Sequence, residues 1–270
     1  REYLQAEQLY GTVLRRLEEE DSGVPSREAT QHLQTLFRLG NLRALYLNDY
    51  TGAIHDFQRL LTFYPRTEEA AQALLNIADI HEHKLSDDAA AIADYQKFVE
   101  LFPSHPLALR ARLQNAATHI RVRDYHAARL VCEKVLSGWP TSAEAIQAQF
   151  QIANTYYMEE RYLEAINRYT KVLETEPSPE LSALTHFELG NCYQEIGNLD
   201  GALASYYASL SHHPNPMLVQ SKIQRVRSRL QLSQPQTVLI NTGNNSEAPE
   251  RMADVSARAL TRGAIDAIPA

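Results

Sequence analysis

The chain is poor in the features that announce chemistry. Of its 270 residues only two are cysteine, Cys132 and Cys192, and one is tryptophan. Two thiols make no disulfide framework, so the redox compartment stays open. The 10 glycines are scattered, which excludes a glycine-rich phosphate loop. Neither Gly-x-Ser-x-Gly nor His-Glu-x-x-His occurs. No run approaches the ~20 consecutive apolar residues of a membrane-spanning helix. Cations are the minority, 26 against 33 acids, and the net charge of −7 argues against a nucleic-acid partner. The first residue is Arg1, not Met, so a processed chain or a fragment is expected.

What is present is repetition. Ala53, Ala91, Ala128, Ala165 and Ala202 recur at spacings of 38, 37, 37 and 37. Four residues after each stands Phe57, Tyr95, Cys132, Tyr169 or Tyr206. Pro65, Pro103, Pro140, Pro177 and Pro214 keep the same step. Twelve residues before the alanine sits a small residue in the last three units, Ala116, Ala153 and Gly190. In the second unit it is Ala78, thirteen before, which implies one inserted residue near 84–88. In the first unit the twelve-residue ruler lands on Asn41, a weaker match.

Each unit reads as helix–turn–helix. Apolar residues fall at i, i+3, i+4 and i+7 in both halves. A small residue facing an alanine lets two helix axes approach to the ~8–10 Å of close packing. The proline ends the second helix. One hairpin cannot bury its apolar face, so hairpins stack.

The run Tyr162-Leu163-Glu164-Ala165-Ile166, Tyr169, Val172-Leu173, Pro177 resembles a tetratricopeptide repeat. So does Leu189-Gly190, Tyr193, Gly197, Ala202, Tyr206, Pro214. The resemblance covers about residues 28–215 and implies an all-α, right-handed superhelical solenoid of five hairpins. The usual period is ~34 residues; the extra three here follow the proline. That long spacer resembles bacterial envelope proteins of this family, of the outer-membrane assembly lipoprotein and Tol–Pal coordinator types. It implies a periplasmic or envelope location.

The ends differ from the middle. Tyr3, Ala6, Tyr10 and Val13 repeat the second-helix pattern, so residues 1–20 read as the second half of a partial repeat or as a plain amphipathic helix. Residues 216–232 carry Leu218, Ile223, Val226 and Leu230 at helical spacing, as a capping helix should. Their Lys222, Arg225, Arg227 and Arg229 read as a solvated face. Residues 233–270 read as linker and disordered tail.

No catalytic constellation, cofactor motif or metal site emerges. The nearest approach to one is Ile80-His81-Glu82-His83. On a helix its two histidines point about 200° apart and cannot share an ion. Cys132 reads as a small core residue, and Cys192 lies two units away. The function expected is therefore protein binding, through the concave face lined by the first helices. Register nominates Leu113, Phe150 and Phe187, three residues before the small residue. Asn154 and Asn191 follow it by one, Tyr157 and Gln194 by four. The family resemblance implies that such asparagines hold a peptide backbone. Phe150 and Phe187 suit either packing between helices or ligand contact. Arg110 and Arg121 flank the groove one unit earlier and suit an acidic segment. A recognition domain of a larger enzyme, or an array associating through its open N-terminal end, are the other readings.

Overall fold

The computed structural model describes residues 2–19 and 26–233. The junction at 20–25 and the tail from 234, read above as loop and linker, lie outside the described residues. Among the described residues there are twelve α-helices and no strand. Helix α1 (Glu2–Glu19) comes first. Five hairpins follow: α2 (Ser26–Leu42) with α3 (Tyr50–Phe63), α4 (Glu68–Asp79) with α5 (Asp88–Leu101), and α6 (Ala108–Arg121) with α7 (Tyr125–Gly138). The fourth and fifth are α8 (Ala143–Met158) with α9 (Tyr162–Glu174) and α10 (Pro179–Glu195) with α11 (Leu199–Ser209). Helix α12 (Pro216–Ser233) closes the series against α11. The fold is an all-α solenoid in which each helix packs mainly on its chain neighbours.

The alanine column is the reason the hairpins close tightly. Ala53, Ala91, Ala128, Ala165 and Ala202 are all fully buried. Phe57, Tyr95, Cys132, Tyr169 and Tyr206 fill the space beside them, each at most 4% exposed. Burying one such aromatic ring contributes about 1.5–3 kcal/mol. The rings need a small residue on the facing helix. A Cβ on Gly190 would stand 2.5 Å from the Tyr206 ring. A Cβ on Gly40 would stand 2.6 Å from Phe57.

Gly40 corrects the register of the first unit. The small residue there is Gly40, thirteen before Ala53, and not Asn41. The first two hairpins thus share one extra residue, and both absorb it at the end of the first helix. The chain widens into a π-turn at Arg43–Leu47 and again at Ile80–Lys84. There the N–H groups of Asn48 and Leu85 bond to the carbonyls of Arg43 and Ile80, five residues back. The extra residue of the second unit therefore lies at or just before the predicted 84–88 segment.

All five turns then converge on one geometry. Asn48, Ser86, Arg123, Glu160 and Gly197 each take a positive φ of 54–79° immediately before the second helix. Only the last uses the residue for which that conformation is free of steric cost. The next residue caps the helix. Asp49, Asp87, Asp124 and Asn198 accept from the third N–H beyond them at 2.9–3.0 Å. Arg161 has no such side-chain bond and pairs with Glu164 instead. At the far end Tyr64, Phe102 and Trp139 leave helical geometry just before their prolines.

Helix α1 sits as a second helix would, against α2. Leu14 and Leu17 are buried, whereas Ala6, Tyr10 and Val13 are half-buried. Tyr3, Leu4 and Leu9 are exposed, and Tyr3 stacks on Tyr46 at 4.5 Å. Glu7 and Glu18 tie α1 to Arg43 and Arg59.

Candidate functional site

With Gly40 as the reference, five first helices present aligned columns. The residue one past the small position is Asn41, Asp79, Ala117, Asn154 or Asn191. Asn41 thereby moves from the packed column into the groove column. The residue three before is Phe37, Leu75, Leu113, Phe150 or Phe187. Adjacent helices are stitched across these columns. Asn76 donates to Asn41 at 3.0 Å, and Gln151 donates to the Leu113 carbonyl at 3.2 Å.

The nominated residues divide. Leu113 and Phe187 are buried and belong to the packed interior. Phe150 is half-buried and tilts against Tyr169, 5.7 Å between centroids. Asn154 accepts from the Tyr169 hydroxyl at 2.6 Å, so its oxygen is spent within its own hairpin. Asn191 is buried and more fully engaged. It accepts from Tyr206 at 2.8 Å and from Lys222 of α12 at 2.9 Å, and donates to Glu188 at 3.0 Å. Gln194 shares the Tyr206 hydroxyl at 3.4 Å. Tyr157 is half-buried against Tyr162, and burial pushes its hydroxyl up to about 12.

Arg121 is also committed. Its guanidinium bridges Glu82 at 2.9 Å and Asp88 at 2.7 Å. Glu82, from the His-Glu-His stretch, is a buried structural acid that also accepts from Tyr95 at 2.6 Å and Thr118 at 3.2 Å. His81 bonds Asp94 at 2.6 Å while His83 lies beside Asp79. Burial is the first cause that raises the Asp94 carboxyl, against the lowering effect of His81. Cys132 and Cys192 are free and buried, and desolvation pushes both thiols up to about 12. Near neutrality they are therefore protonated and poor nucleophiles.

Arg110 is the nominated residue left most available. It is exposed, and no carboxylate lies within salt-bridge reach of it among the described residues. It lines a cleft of about 310 Å³ between α4 and α6. Leu75, Leu107 and Ala111 give the cleft apolar surface; Gln72, Asp79 and Gln114 give it polar edges. Gln114 and Gln72 were not singled out by register. For Gln114 the signal was present, since two residues before the small position stand Arg38, Asn76, Gln114, Gln151 and Glu188, all polar.

The fifth hairpin holds a charge that burial penalises. Desolvation raises the Glu188 carboxyl above its ordinary 4.5, against the lowering influence of Asn191, Lys222 and His213. A raised folded-state value means the folded chain binds the proton more readily than the unfolded chain. Stability therefore falls as pH rises from 4.5 through the raised value. Glu188→Gln keeps an acceptor for Asn191 and removes the charge. Its melting midpoint is expected to exceed the parent's at pH 8 and to match it at pH 4, read by circular dichroism. A deficit at pH 8 would show the ionised carboxylate to be favourable.

Comparison with known proteins gives one family and many structures of one fold. Residues 42–106 and 150–215 match the tetratricopeptide repeat family. No curated protein matches significantly. Among solved structures, the apo form of RapI superposes with a TM-score of 0.61 at 12% identity, over 86% of this chain and 72% of that one. MamA gives 0.52 at 17% identity, over 71% and 95%. A thermophilic protein of the same repeat class from Thermus thermophilus gives 0.50 at 19%, over 73% and 99%. At these identities the likeness concerns the fold.

Proposed function

Because the chain carries tetratricopeptide repeats folded as an all-α solenoid, we propose that it is a non-enzymatic scaffold that holds a segment of another protein against its first helices. The observation that carries this reading is the cleft between α4 and α6, where an unpaired guanidinium meets side-chain amides over an apolar floor. Amides offer both donor and acceptor to a peptide backbone. Arg110 suits a carboxylate on the same segment. Asn154, with its Nδ2 uncommitted among the described residues, extends the row into the fourth hairpin. The long spacer between hairpins favours an envelope assembly in a bacterium as the setting.

Arg110→Glu combined with Gln114→Ala tests the groove. Both side chains lie off the packed core, so the fold should persist. Recovery of partner polypeptides from native extract is expected to drop about tenfold relative to the parent chain. Undiminished recovery would remove the cleft from the binding surface. Self-association is a second reading, supported by exposed Tyr3, Leu4 and Leu9 on α1. The same samples, run on a sizing column over a range of concentrations, test it; a constant monomer contradicts it.

A further inference from the structure

The second helices carry a column of their own. Three residues past the column alanine stand Asp56, Asp94, Val131, Arg168 and Ser205. The first two are answered from their own first helix, Asp56 by Arg43 at 2.7 Å and Asp94 by His81 at 2.6 Å. Arg168 reverses the sign. Its first-helix counterpart is Tyr156, and the guanidinium lies 5.4 Å over that ring. Arg129 and Arg161 share the same ring, at 5.2 and 4.7 Å.

Two of these three cations are neutralised. Arg129 pairs with Glu159 at 3.0 Å and Arg161 with Glu164 at 2.9 Å. Arg168 has no carboxylate within salt-bridge distance among the described residues, and neither has Lys171 one turn on. Both line a cleft of about 330 Å³ among α7, α8 and α9. Leu136 and the largely buried Ile152 give it apolar atoms, and the acid Glu174 lines it beside the two cations.

The cleft has an origin in the sequence. Four residues before the small position stand Leu36, Leu74, Arg112, Gln149 and His186. Leu36 and Leu74 are fully buried. Gln149 lines the cleft, and its Oε1 is buried without a hydrogen-bond partner.

We propose that this cleft is a second docking site, distinct from the groove on the first helices, for an acidic extended segment of a partner protein. The segment's carboxylates meet Arg168 and Lys171. An apolar side chain of the segment rests on Leu136. Nucleic acid is disfavoured, because two free cations are few and the chain's net charge of −7 repels a long polyanion.

The test is fluorescence anisotropy of a labelled, roughly ten-residue peptide alternating Glu and Leu, titrated with the full chain in about 50 mM salt. Saturable binding is expected, about tenfold weaker for Arg168→Glu with Lys171→Glu and for a peptide with Gln in place of Glu. Lys171→Glu alone, at an exposed position where the fold should tolerate it, is expected to weaken binding about threefold. Arg110→Glu in the other groove should leave the affinity within about twofold. Four results would overturn the proposal: no binding at millimolar chain, indifference to Arg168 and Lys171, greater sensitivity to Arg110, or tighter binding of oligodeoxythymidylate to the same residues.

Discussion

Tyr206→Ala is expected to cost the C-terminal hairpin about 3–5 kcal/mol, the range for emptying an aromatic from a core. The ring is fully buried, stands over Gly190 where no Cβ fits, and tilts against Phe187 at 5.6 Å. Its hydroxyl donates to Asn191, so truncation also strips one donor from a buried amide. A repeat array distributes stability by unit and nearest neighbour. The loss should therefore be local. Amide exchange in α10, α11 and α12 should accelerate, while α2 to α5 keep their protection. Melting would broaden or split into two steps. Uniform acceleration along the whole chain would contradict the picture of separable hairpins. Tyr206→Phe keeps the ring and removes only the hydroxyl, and should cost about 1 kcal/mol.

Glu82→Ala is expected to cost about 2–4 kcal/mol. The carboxylate is 7% exposed and serves three donors on two helices: Tyr95 of α5, and Thr118 and Arg121 of α6. Arg121 can rehydrate, because its side chain is 43% exposed and keeps Asp88, so the Coulomb share of the loss is small. The larger share comes from the Tyr95 hydroxyl, which is buried and left without an acceptor. Burial, the largest of the causes that hold that hydroxyl above the usual tyrosine range, persists when Glu82 is gone, so the hydroxyl cannot relieve the loss by ionising. Glu82→Gln retains an acceptor and should recover most of the stability. Chemical denaturation followed by circular dichroism measures all three chains. A loss below about 1 kcal/mol for Glu82→Ala would mean that Tyr95 finds another partner.

These two residues also show what a sequence can and cannot reveal. The alanine, aromatic and proline columns were legible because close packing dictates residue size at a fixed step. Gly40 was missed for the same reason. A π-turn lets the backbone absorb one residue without disturbing the packing, and a ruler of fixed length then lands on Asn41. The groove column was legible as a column, but its availability was not. Asn154 and Asn191 face tyrosines fifteen residues on, whose hydroxyls consume their oxygens. In the first unit the aromatic is Phe57, which has no hydroxyl, and Asn41 accepts from Asn76 of the next hairpin instead. Arg121 looked like a free cation because its partners, Glu82 and Asp88, lie a full unit away in sequence. Arg110 and Arg121 share one helix, and only contacts across units distinguish the committed cation from the available one.

The clearest test of the scaffold reading places a benzophenone amino acid at Gln114, on the α6 wall of the groove, and separately at Lys97, an exposed position on α5. Irradiation in native extract should yield a discrete higher-mass species from Gln114 that is absent from Lys97 and lost when Arg110→Glu is added. Cross-links from Lys97 alone, or equal cross-linking from both positions, would contradict the claim that the first-helix groove holds the partner.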